Sequence, residues 1–360
     1  MQGLMQDWPL LVHKILDHAA IQHGGREVVS RSVEGPIHRT DYSELRHRSL
    51  RVAQALDRFG IVGGDRVATL AWNTWRHLEI WYGINGVGAI YHTINPRLFP
   101  EQIAYIVNHA ADRILFTDLT FLPLVEALAG HLKTLELVVV MTDAEHMPES
   151  KLANAVSYEE WIAGCDGNFV WKDVDENAAS GMCYTSGTTG NPKGVVYSHR
   201  SNILHAMMAA ATDMMGLSFN DTVLPVVPMF HANCWSLAFA APMNGARLVM
   251  PGAKMDGASI WELLDSEKVT LSAAVPTVWM MLLQHMEETG KKLPHLTRVV
   301  IGGAACPRVI IDKFENVYDV QVIHAWGMTE LSPLGTVCTI KPEYGGLRGE
   351  ALLDIKETQG

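Results

Sequence analysis

The most informative stretch of the chain reads Tyr184-Thr185-Ser186-Gly187-Thr188-Thr189-Gly190-Asn191-Pro192-Lys193-Gly194, with four aliphatic hydroxyls, three glycines and one lysine in eleven residues. Glycines let backbone N–H groups turn toward an anion, hydroxyls donate hydrogen bonds or coordinate a metal ion, and lysine adds a mobile positive charge. This combination predicts a polyphosphate-binding loop. It is not a Walker loop, because Lys193 is followed by Gly194 and a strand-like pair at 195–196 rather than by Ser or Thr and a helix. A surface loop rich in small polar residues is the alternative interpretation.

The sequence on both sides of this loop predicts an α/β fold. Short β-branched runs alternate with helical stretches for most of the length, a pattern typical of parallel-rich sheets covered by helices. The predicted strands are 66–70, 135–141, 246–250 and 298–301, and the predicted helices are 43–60, 258–267, 278–288 and 308–316. Glycines and acidic residues at 150–175 indicate a junction between two subdomains within a single 1–360 unit.

Composition excludes several classes of protein. The 360 residues are 48% hydrophobic and 19% charged, which argues against a small disulfide scaffold and against a disordered chain. Lys and Arg number 28 against 39 Asp and Glu, and the net charge of −11 argues against nucleic acid or anionic lipid as a partner. No apolar run approaches the ~18 residues of a membrane span, and the first 20 residues lack the apolar core of a signal peptide. Five widely spaced cysteines fit a reducing, cytoplasmic location.

Two further strings accompany the loop in a fixed order, Pro228-Met229-Phe230-His231 and His324-Ala325-Trp326-Gly327-Met328-Thr329-Glu330. With the loop, they make the chain resemble the adenylate-forming enzymes, which include acyl-CoA synthetases, firefly luciferase and peptide-synthetase adenylation domains. The resemblance covers essentially all 360 residues. It implies the large N-terminal AMP-binding domain of that family, with the C-terminal lid domain absent from this sequence.

The resemblance also implies an activity, which is the ATP-dependent ligation of a small carboxylic acid to CoA. The carboxylate would be adenylated with release of pyrophosphate and the acyl group then passed to CoA, so the expected cofactors are ATP, Mg²⁺ and CoA. Residues 93–97 and 226–231 look most like fatty acyl-CoA ligases, and the branch acting on 3-methylmercaptopropionate looks closest. That acid is the expected substrate, with a medium- or long-chain fatty acid as the alternative. Acyl-CoA ligases of this appearance are often homodimers.

Two other functions are compatible with the sequence. Luciferase-like oxidation of an adenylate uses the same motifs, and a noncatalytic nucleotide-binding fragment would account for a sequence that stops at Gly360. The lid lysine and the ribose-binding Asp of the family cannot be mapped onto these residues. The fragment alone is therefore expected to be inactive or weakly active, because that lysine stabilises charge developing in the transition state.

The family's site residues carry over by position. Thr185 and Glu330 match the metal ligands, since one hydroxyl and one carboxylate with bound water suit Mg²⁺. The expected catalytic residues are Thr185, Lys193, His231 and Glu330. The expected nucleotide-binding residues are Thr185, Ser186, Gly187, Thr188, Thr189, Gly190, Lys193, Gly303, Ala304, His324, Ala325, Trp326 and Thr329. The expected acid-binding residues are His231, Ala232, Trp235, Gly302, Gly303, Trp326 and Pro333.

Structural interpretations compete with several of these roles. His231 could instead be a buried histidine of the core. The small residues at 302–305 could instead serve tight packing. Cys234 is expected to be a packing residue, because no base that could activate it is evident. Trp326 departs from the family, which usually has Tyr at this position. Its larger indole could stack on adenine and also narrow the acid-binding end of the pocket.

Overall fold

The computed structural model describes residues 1, 3–185 and 191–359, and two β-sheets organise this part of the chain. The strands in chain order are β1 (Glu27–Arg31), β2 (Ile37–Asp41), β3 (Arg66–Leu70), β4 (Ile90–Thr93), β5 (Asp112–Thr117), β6 (Leu137–Val140), β7 (Ala155–Ser157), β8 (Ala179–Thr185), β9 (Lys193–Ser198), β10 (Thr222–Pro225), β11 (Arg247–Met250), β12 (Leu271–Ala274), β13 (Arg298–Ile301), β14 (Gln321–Gly327) and β15 (Leu334–Val337).

Helices connect most of these strands. They are α1 (His13–His23), α2 (Tyr42–Phe59), α3 (Trp75–Gly86), α4 (Pro100–Ala110), α5 (Leu122–Leu128), α6 (Tyr158–Ala163), α7 (His199–Ala210), α8 (Leu237–Met243), α9 (Gly257–Ser266), α10 (Pro276–Thr289), α11 (Arg308–Asp312) and α12 (Glu350–Lys356). In the described part of the chain, no helix is both long enough and apolar enough to cross a membrane.

The predicted parallel-rich α/β architecture is confirmed by the strand order of the two sheets. The eight-stranded sheet runs β15-β14-β13-β12-β10-β11-β1-β2, and only its two outer pairs are antiparallel. The seven-stranded sheet runs β7-β6-β5-β3-β4-β8-β9, and only β8 and β9 pair antiparallel. The chain therefore begins in the first sheet, builds the whole second sheet, and returns to complete the first.

The segment predicted as a junction, 150–175, contributes β7 and α6 to the seven-stranded half of the molecule. The chain passes between the sheets elsewhere, after β2 and again after β9. A boundary between subdomains at 150–175 stays a prediction. The crossings follow from strand pairing, because β1 lies beside β11, more than 200 residues later in the chain.

Apolar side chains form three clusters that arrange the helices in layers. The largest cluster contacts both sheets and takes in α1, α2, α3, α7 and α8, with Trp81 and Phe239 fully buried in it. A second cluster places α9, α10 and α11 on the outer face of the eight-stranded sheet. A third places α4 and α5 on the outer face of the seven-stranded sheet. The covering helices predicted at 258–267, 278–288 and 308–316 all lie in the second cluster.

Side-chain caps explain where several helices begin. The Asp41 carboxylate accepts the Glu44 N–H at 2.9 Å at the start of α2, and the Ser198 hydroxyl accepts the Ser201 N–H at 3.0 Å at the start of α7. Such caps satisfy N–H groups that have no partner within the helix. The helix predicted at 308–316 is regular only to Asp312 and continues as a π-helical turn at Lys313–Val317.

Candidate active site

A cavity of about 200 Å³ lies where β13 and β14 end. Ligands of open parallel sheets bind outside the carboxyl ends of the strands, so the location suits a binding site. The residues lining it are Met215, His231, Ala232, Trp235, Val300, Gly302, Gly303, Ala325, Trp326, Gly327, Met328, Thr329, Pro333 and Leu334. The structure thus brings together all seven residues predicted to bind the acid. It adds Ala325 and Thr329, which were predicted to bind the nucleotide.

A left-handed turn, Ala232–Ser236, forms one wall of the cavity. All five residues have positive φ, between 43° and 69°, and none of them is glycine. Each L-residue in this conformation costs roughly 1–2 kcal/mol, so the turn persists only because its surroundings determine it. The turn is buried throughout, with Trp235 the most exposed residue at 8%.

Trp235 projects from this turn onto the two glycines that follow β13. A Cβ atom placed on Gly302 would lie 3.4 Å from Trp235 Cη2 and 3.0 Å from the Ala325 carbonyl oxygen. Gly303 has a φ of +77°, which favours glycine, and a Cβ there would lie 3.6 Å from Trp235 Cζ2. Both interpretations of the glycines therefore apply, because they are closely packed and they line the cavity.

Two side chains next to Trp235 differ in character. The Cys234 thiol is fully buried, donates to the Val227 carbonyl at 3.3 Å, and has a pKa raised by burial, so packing is its observed role. His231 lies on the cavity and is exposed, which removes the core-histidine alternative. Although part of the residue is open to solvent, desolvation by the protein around its ring and the nearby charge of Arg97 lower the pKa of His231. At neutral pH it is an uncharged imidazole able to donate or accept a hydrogen bond.

Trp326 forms the opposite wall and is 45% exposed. Its indole packs on Gly335 of the neighbouring strand β15, where an added Cβ would lie 2.7 Å from Trp326 Cζ3. The ring is therefore held in place while much of its surface stays open to solvent. An accessible, fixed aromatic ring suits stacking on a planar base, the role predicted for this residue.

The predicted phosphate loop joins β8 to β9 in an antiparallel hairpin. Thr185 and Lys193 face each other at its end, with Thr185 Oγ1 3.5 Å from the Lys193 carbonyl oxygen. Lys193 is exposed and Thr185 is partly exposed. The predicted nucleotide ligands Ser186, Gly187, Thr188, Thr189 and Gly190 lie outside the described residues.

A hydrogen bond connects the hairpin to the segment that carries the predicted acidic metal ligand. The Tyr197 hydroxyl of β9 donates to the Thr329 carbonyl at 2.7 Å. Burial raises the pKa of Tyr197, which keeps the hydroxyl protonated as a donor. Glu330 follows in the turn Thr329–Leu331 and is exposed, with no ion pair among the described residues.

Among the described residues, no cluster of three or more His, Cys, Asp or Glu could hold a metal ion by itself. Mg²⁺ needs no such cluster, because it retains waters and takes one or two protein oxygens together with substrate phosphates. The exposed Glu330 carboxylate and the partly exposed Thr185 hydroxyl are oxygen donors of this kind. The donor chemistry of these two residues suits Mg²⁺, and their role as its ligands stays a prediction.

Besides Thr185 and Lys193 of the hairpin, two more of the described residues predicted to bind the nucleotide do not line the cavity. His324 is buried, its Nδ1–H donates to the Lys356 carbonyl at 3.1 Å, and its Nε2 accepts the Cys306 N–H at 3.3 Å. Its ring thus connects the middle of β14 to α12. Ala304 is exposed one residue beyond Gly303. Their contact with adenine stays a prediction.

Sequence reasoning missed five residues of the cavity. Gly327 and Met328 stand inside the quoted string at 324–330, and Leu334 follows the predicted Pro333, so their neighbours gave a usable signal. Met215 and Val300 gave none. They are ordinary apolar residues that reach the cavity only because the chain folds that way.

Comparisons with known proteins find relatives along nearly the whole chain. The sequence model of the family described as "AMP-binding enzyme" matches residues 16–352. The chain is 47% identical over 360 residues to a medium-chain-fatty-acid–CoA ligase of Ectopseudomonas oleovorans, covering 100% of this chain and 66% of that protein. It is also 47% identical over 360 residues to a 3-methylmercaptopropionyl-CoA ligase of Ruegeria pomeroyi, covering 100% of this chain and 67% of that protein.

A solved structure shows the same fold. The crystal structure of the anthranilate CoA ligase AuaEII with anthranoyl-AMP superimposes with a TM-score of 0.84 at 24% sequence identity, over 96% of this chain and 65% of that one. At that identity the likeness bears on the fold alone. The chain spans about two thirds of the length of the curated relatives it matches.

Proposed function

We propose, from the premise that the chain belongs to the AMP-binding enzyme family, that it is the nucleotide- and acid-binding part of an ATP-dependent acid:CoA ligase. One observation carries the proposal. Seven residues assigned to the acid by position, spread from His231 to Pro333, line one cavity together with Ala325 and Thr329 of the predicted nucleotide set. That residues so far apart in the sequence line the same cavity supports a shared binding site.

In the proposed first step, a carboxylate oxygen attacks the α-phosphorus of ATP. A new P–O bond forms, the bond to the bridging oxygen breaks, and pyrophosphate leaves. Two anions must approach in line, so the site has to orient them and screen their repulsion. Neutral His231 can donate a hydrogen bond to the acid at the cavity mouth, and Trp326 offers a stacking surface for adenine. Lys193 and the hairpin would hold the phosphates.

Thr185 and Glu330 would hold Mg²⁺, which when bound neutralises phosphate charge. In the proposed second step, the CoA thiol attacks the acyl carbon of the adenylate, a thioester forms, and AMP leaves. ATP, Mg²⁺ and CoA are therefore the proposed cofactors. The described chain contributes binding and orientation to both steps.

The size of the cavity favours a short acid. Ligand pockets commonly measure roughly 300–1,000 Å³, and this one, at about 200 Å³, is smaller. The indoles of Trp235 and Trp326 line this small cavity. We therefore propose 3-methylmercaptopropionate as the acid, with a medium- or long-chain fatty acid as the second candidate. The relatives named for both kinds of substrate are equally similar to this chain, at 47% identity.

A panel of acids tests the substrate class. AMP release is measured with the natural protein that contains this sequence, using acids from short methylthio acids to long fatty acids, with and without CoA. Strong release with small acids alone supports the short-acid proposal. Release that favours long chains supports the fatty-acid alternative, and ATP binding without release for any acid supports a noncatalytic module.

A cytoplasmic location and a homodimer belong to the same proposal. All five cysteines are buried and free, which suits a reducing compartment. The homodimer rests on the resemblance to acyl-CoA ligases. Size-exclusion chromatography with light scattering tests it, and a monomeric mass at micromolar concentration would contradict it.

A further inference from the structure

A closed cycle of hydrogen bonds ties the left-handed turn to the seven-stranded half of the molecule. The Tyr91 hydroxyl of β4 donates to Asn233 Oδ1 at 2.9 Å, and the Asn233 amide donates to Asn202 Oδ1 of α7 at 3.1 Å. The Asn202 amide then donates to the Tyr91 oxygen at 3.2 Å. All three side chains are at least 99% buried. Because a buried amide without a partner is costly, the three residues depend on one another.

Asn233 suits this position for two reasons. It stands second in the turn with a φ of 59°, and asparagine tolerates the left-handed region better than most residues. Its amide also supplies the acceptor and the donor that close the cycle. Among the other turn residues, Ala232, Cys234 and Trp235 have neither property.

The Tyr91 ring cannot easily move. Trp81 stacks on it with ring centres 4.4 Å apart and planes within 9°. On another side, a Cβ placed on Gly181 would lie 2.1 Å from Tyr91 Cζ, so the ring fits against bare backbone. The hydroxyl is thus held at one point, and Asn233 is held with it.

The cycle reaches a second support of the cavity through α7. Asn202 also donates to the Ser180 hydroxyl of β8 at 2.9 Å. One turn further along the same helix, His205 Nε2 accepts the N–H of Leu334, a residue of the cavity wall, at 2.9 Å. One helix therefore fixes two walls of the cavity.

We propose that Tyr91, Asn202 and Asn233 are positioning residues that hold Trp235 against Gly302 and so set the length of acid that the cavity accepts. The inference rests on the proposed ligase function. None of the three residues lines the cavity. They act through the turn that carries Ala232 and Trp235.

Two variants of the natural protein test the inference. Tyr91→Phe removes one hydroxyl and keeps the stacked ring, while Asn233→Gly removes the amide and keeps the backbone free to be left-handed. With either variant, we expect KM for the preferred short acid to rise about three- to tenfold, as for the loss of one hydrogen bond. KM for ATP should change less than about twofold, and the acid preference should move toward longer chains. A generally weakened fold would not produce this combination.

Tyr42→Phe is the matched control. It removes an equally buried tyrosine hydroxyl, which donates to the Ala246 carbonyl away from the cavity. It should leave the acid preference unchanged. Crystal structures of the Tyr91 and Asn233 variants provide a readout that needs no activity, and we expect the Trp235 indole to leave Gly302.

The outcomes separate the inference from the function on which it rests. If the wild-type protein activates no acid, the ligase function fails, and the position of Trp235 still decides the role of the cycle. If both variants keep the wild-type acid preference and an unmoved Trp235, the inference is overturned. A shift of equal size in Tyr42→Phe would also overturn it. Should Asn233→Gly fail to fold, Tyr91→Phe alone decides.

Discussion

The contact between Trp326 and Gly335 allows the proposed stacking of adenine on Trp326 to be tested by adding one methyl group. Gly335→Ala would place a Cβ 2.7 Å from Trp326 Cζ3, closer than such atoms approach, so the indole must shift. Because Trp326 is the proposed stacking surface for adenine, we expect KM for ATP to rise about three- to tenfold, as for partial loss of base stacking. Pyrophosphate exchange at varied ATP concentration measures this effect.

Gly130→Ala is the control for that substitution, because an added Cβ there meets nothing within 4 Å and the backbone is not left-handed. It should leave KM for ATP unchanged. An unchanged KM in Gly335→Ala, together with a well-folded protein, would contradict stacking on Trp326.

Single residues also show what a sequence can predict. The seven residues predicted to bind the acid line one cavity, because short ordered strings fix residue type and position together; their contact with an acid stays a prediction. His324 belonged to the same kind of string, yet its ring bonds to Lys356 and Cys306. The direction of a side chain depends on which element packs beside it. The sequence at 324–330 gives no indication that α12 packs beside His324.

At the level of elements, α7 offers a comparison within one helix. His205 accepts the Leu334 N–H at 2.9 Å, and His199 accepts the Val12 N–H at 3.2 Å. Substituting His199 by Leu leaves the buried Val12 N–H without this partner, and substituting His205 by Leu does the same to the partly buried Leu334 N–H. Each loss costs up to about 1–3 kcal/mol in unfolding free energy. Only His205→Leu should also raise KM for the acid, because only Leu334 lines the cavity.

Urea unfolding and acid-dependent kinetics of the two variants check this prediction. Similar stability losses with a kinetic effect confined to His205→Leu are the expected result. Equal kinetic effects would mean that general stability, and not the wall at Leu334, governs acid binding.

Secondary-structure elements differ in how well their local sequence predicts them. The bounds of β3 and β13 agree with the predicted strands 66–70 and 298–301, because each is a short apolar run next to glycines or turns. The left-handed turn gives no such signal. Residues 232–236 include no glycine, and local preference argues against five successive positive φ values. Tertiary contacts of Asn233 and Trp235 override that preference.

For the molecule as a whole, buried histidines predict how stability changes with pH. Burial lowers the pKa of four of them from 6.5 to about 4, namely His13, His77, His199 and His205. Between these pH values the unfolded chain binds protons that the native protein does not, so stability rises with pH. Burial raises the pKa of three carboxyls, Glu79, Asp112 and Asp118, which oppose this trend and reduce its size.

Chemical denaturation from pH 4.5 to 7.5 measures the effect. The free energy of unfolding should increase by at least about 1.4 kcal/mol per pH unit near pH 5.5, the value for one net proton. The His199→Leu variant removes one of the four histidines and should flatten the slope. A stability that is constant or falls across this range would contradict the assignment of neutral buried histidines.

The arrangement of the two sheets could not be read from the sequence. Alternating strands and helices predicted the α/β class, because each strand and helix leaves a local signal. The pairing of β1 with β11 joins residues such as Val28 and Leu248, and no local pattern links positions so far apart. The cavity lies at the end of the sheet that this long-range pairing completes. The shape of the cavity therefore could not be predicted from the sequence either.

The most direct test of the proposed ligase function is acid-dependent exchange of labelled pyrophosphate into ATP, measured with the natural protein that contains this chain. We predict exchange only when both a carboxylic acid and Mg²⁺ are present, and a strong loss in Glu330→Gln. Absence of exchange with every acid tested, by a protein that still binds ATP, would contradict the account.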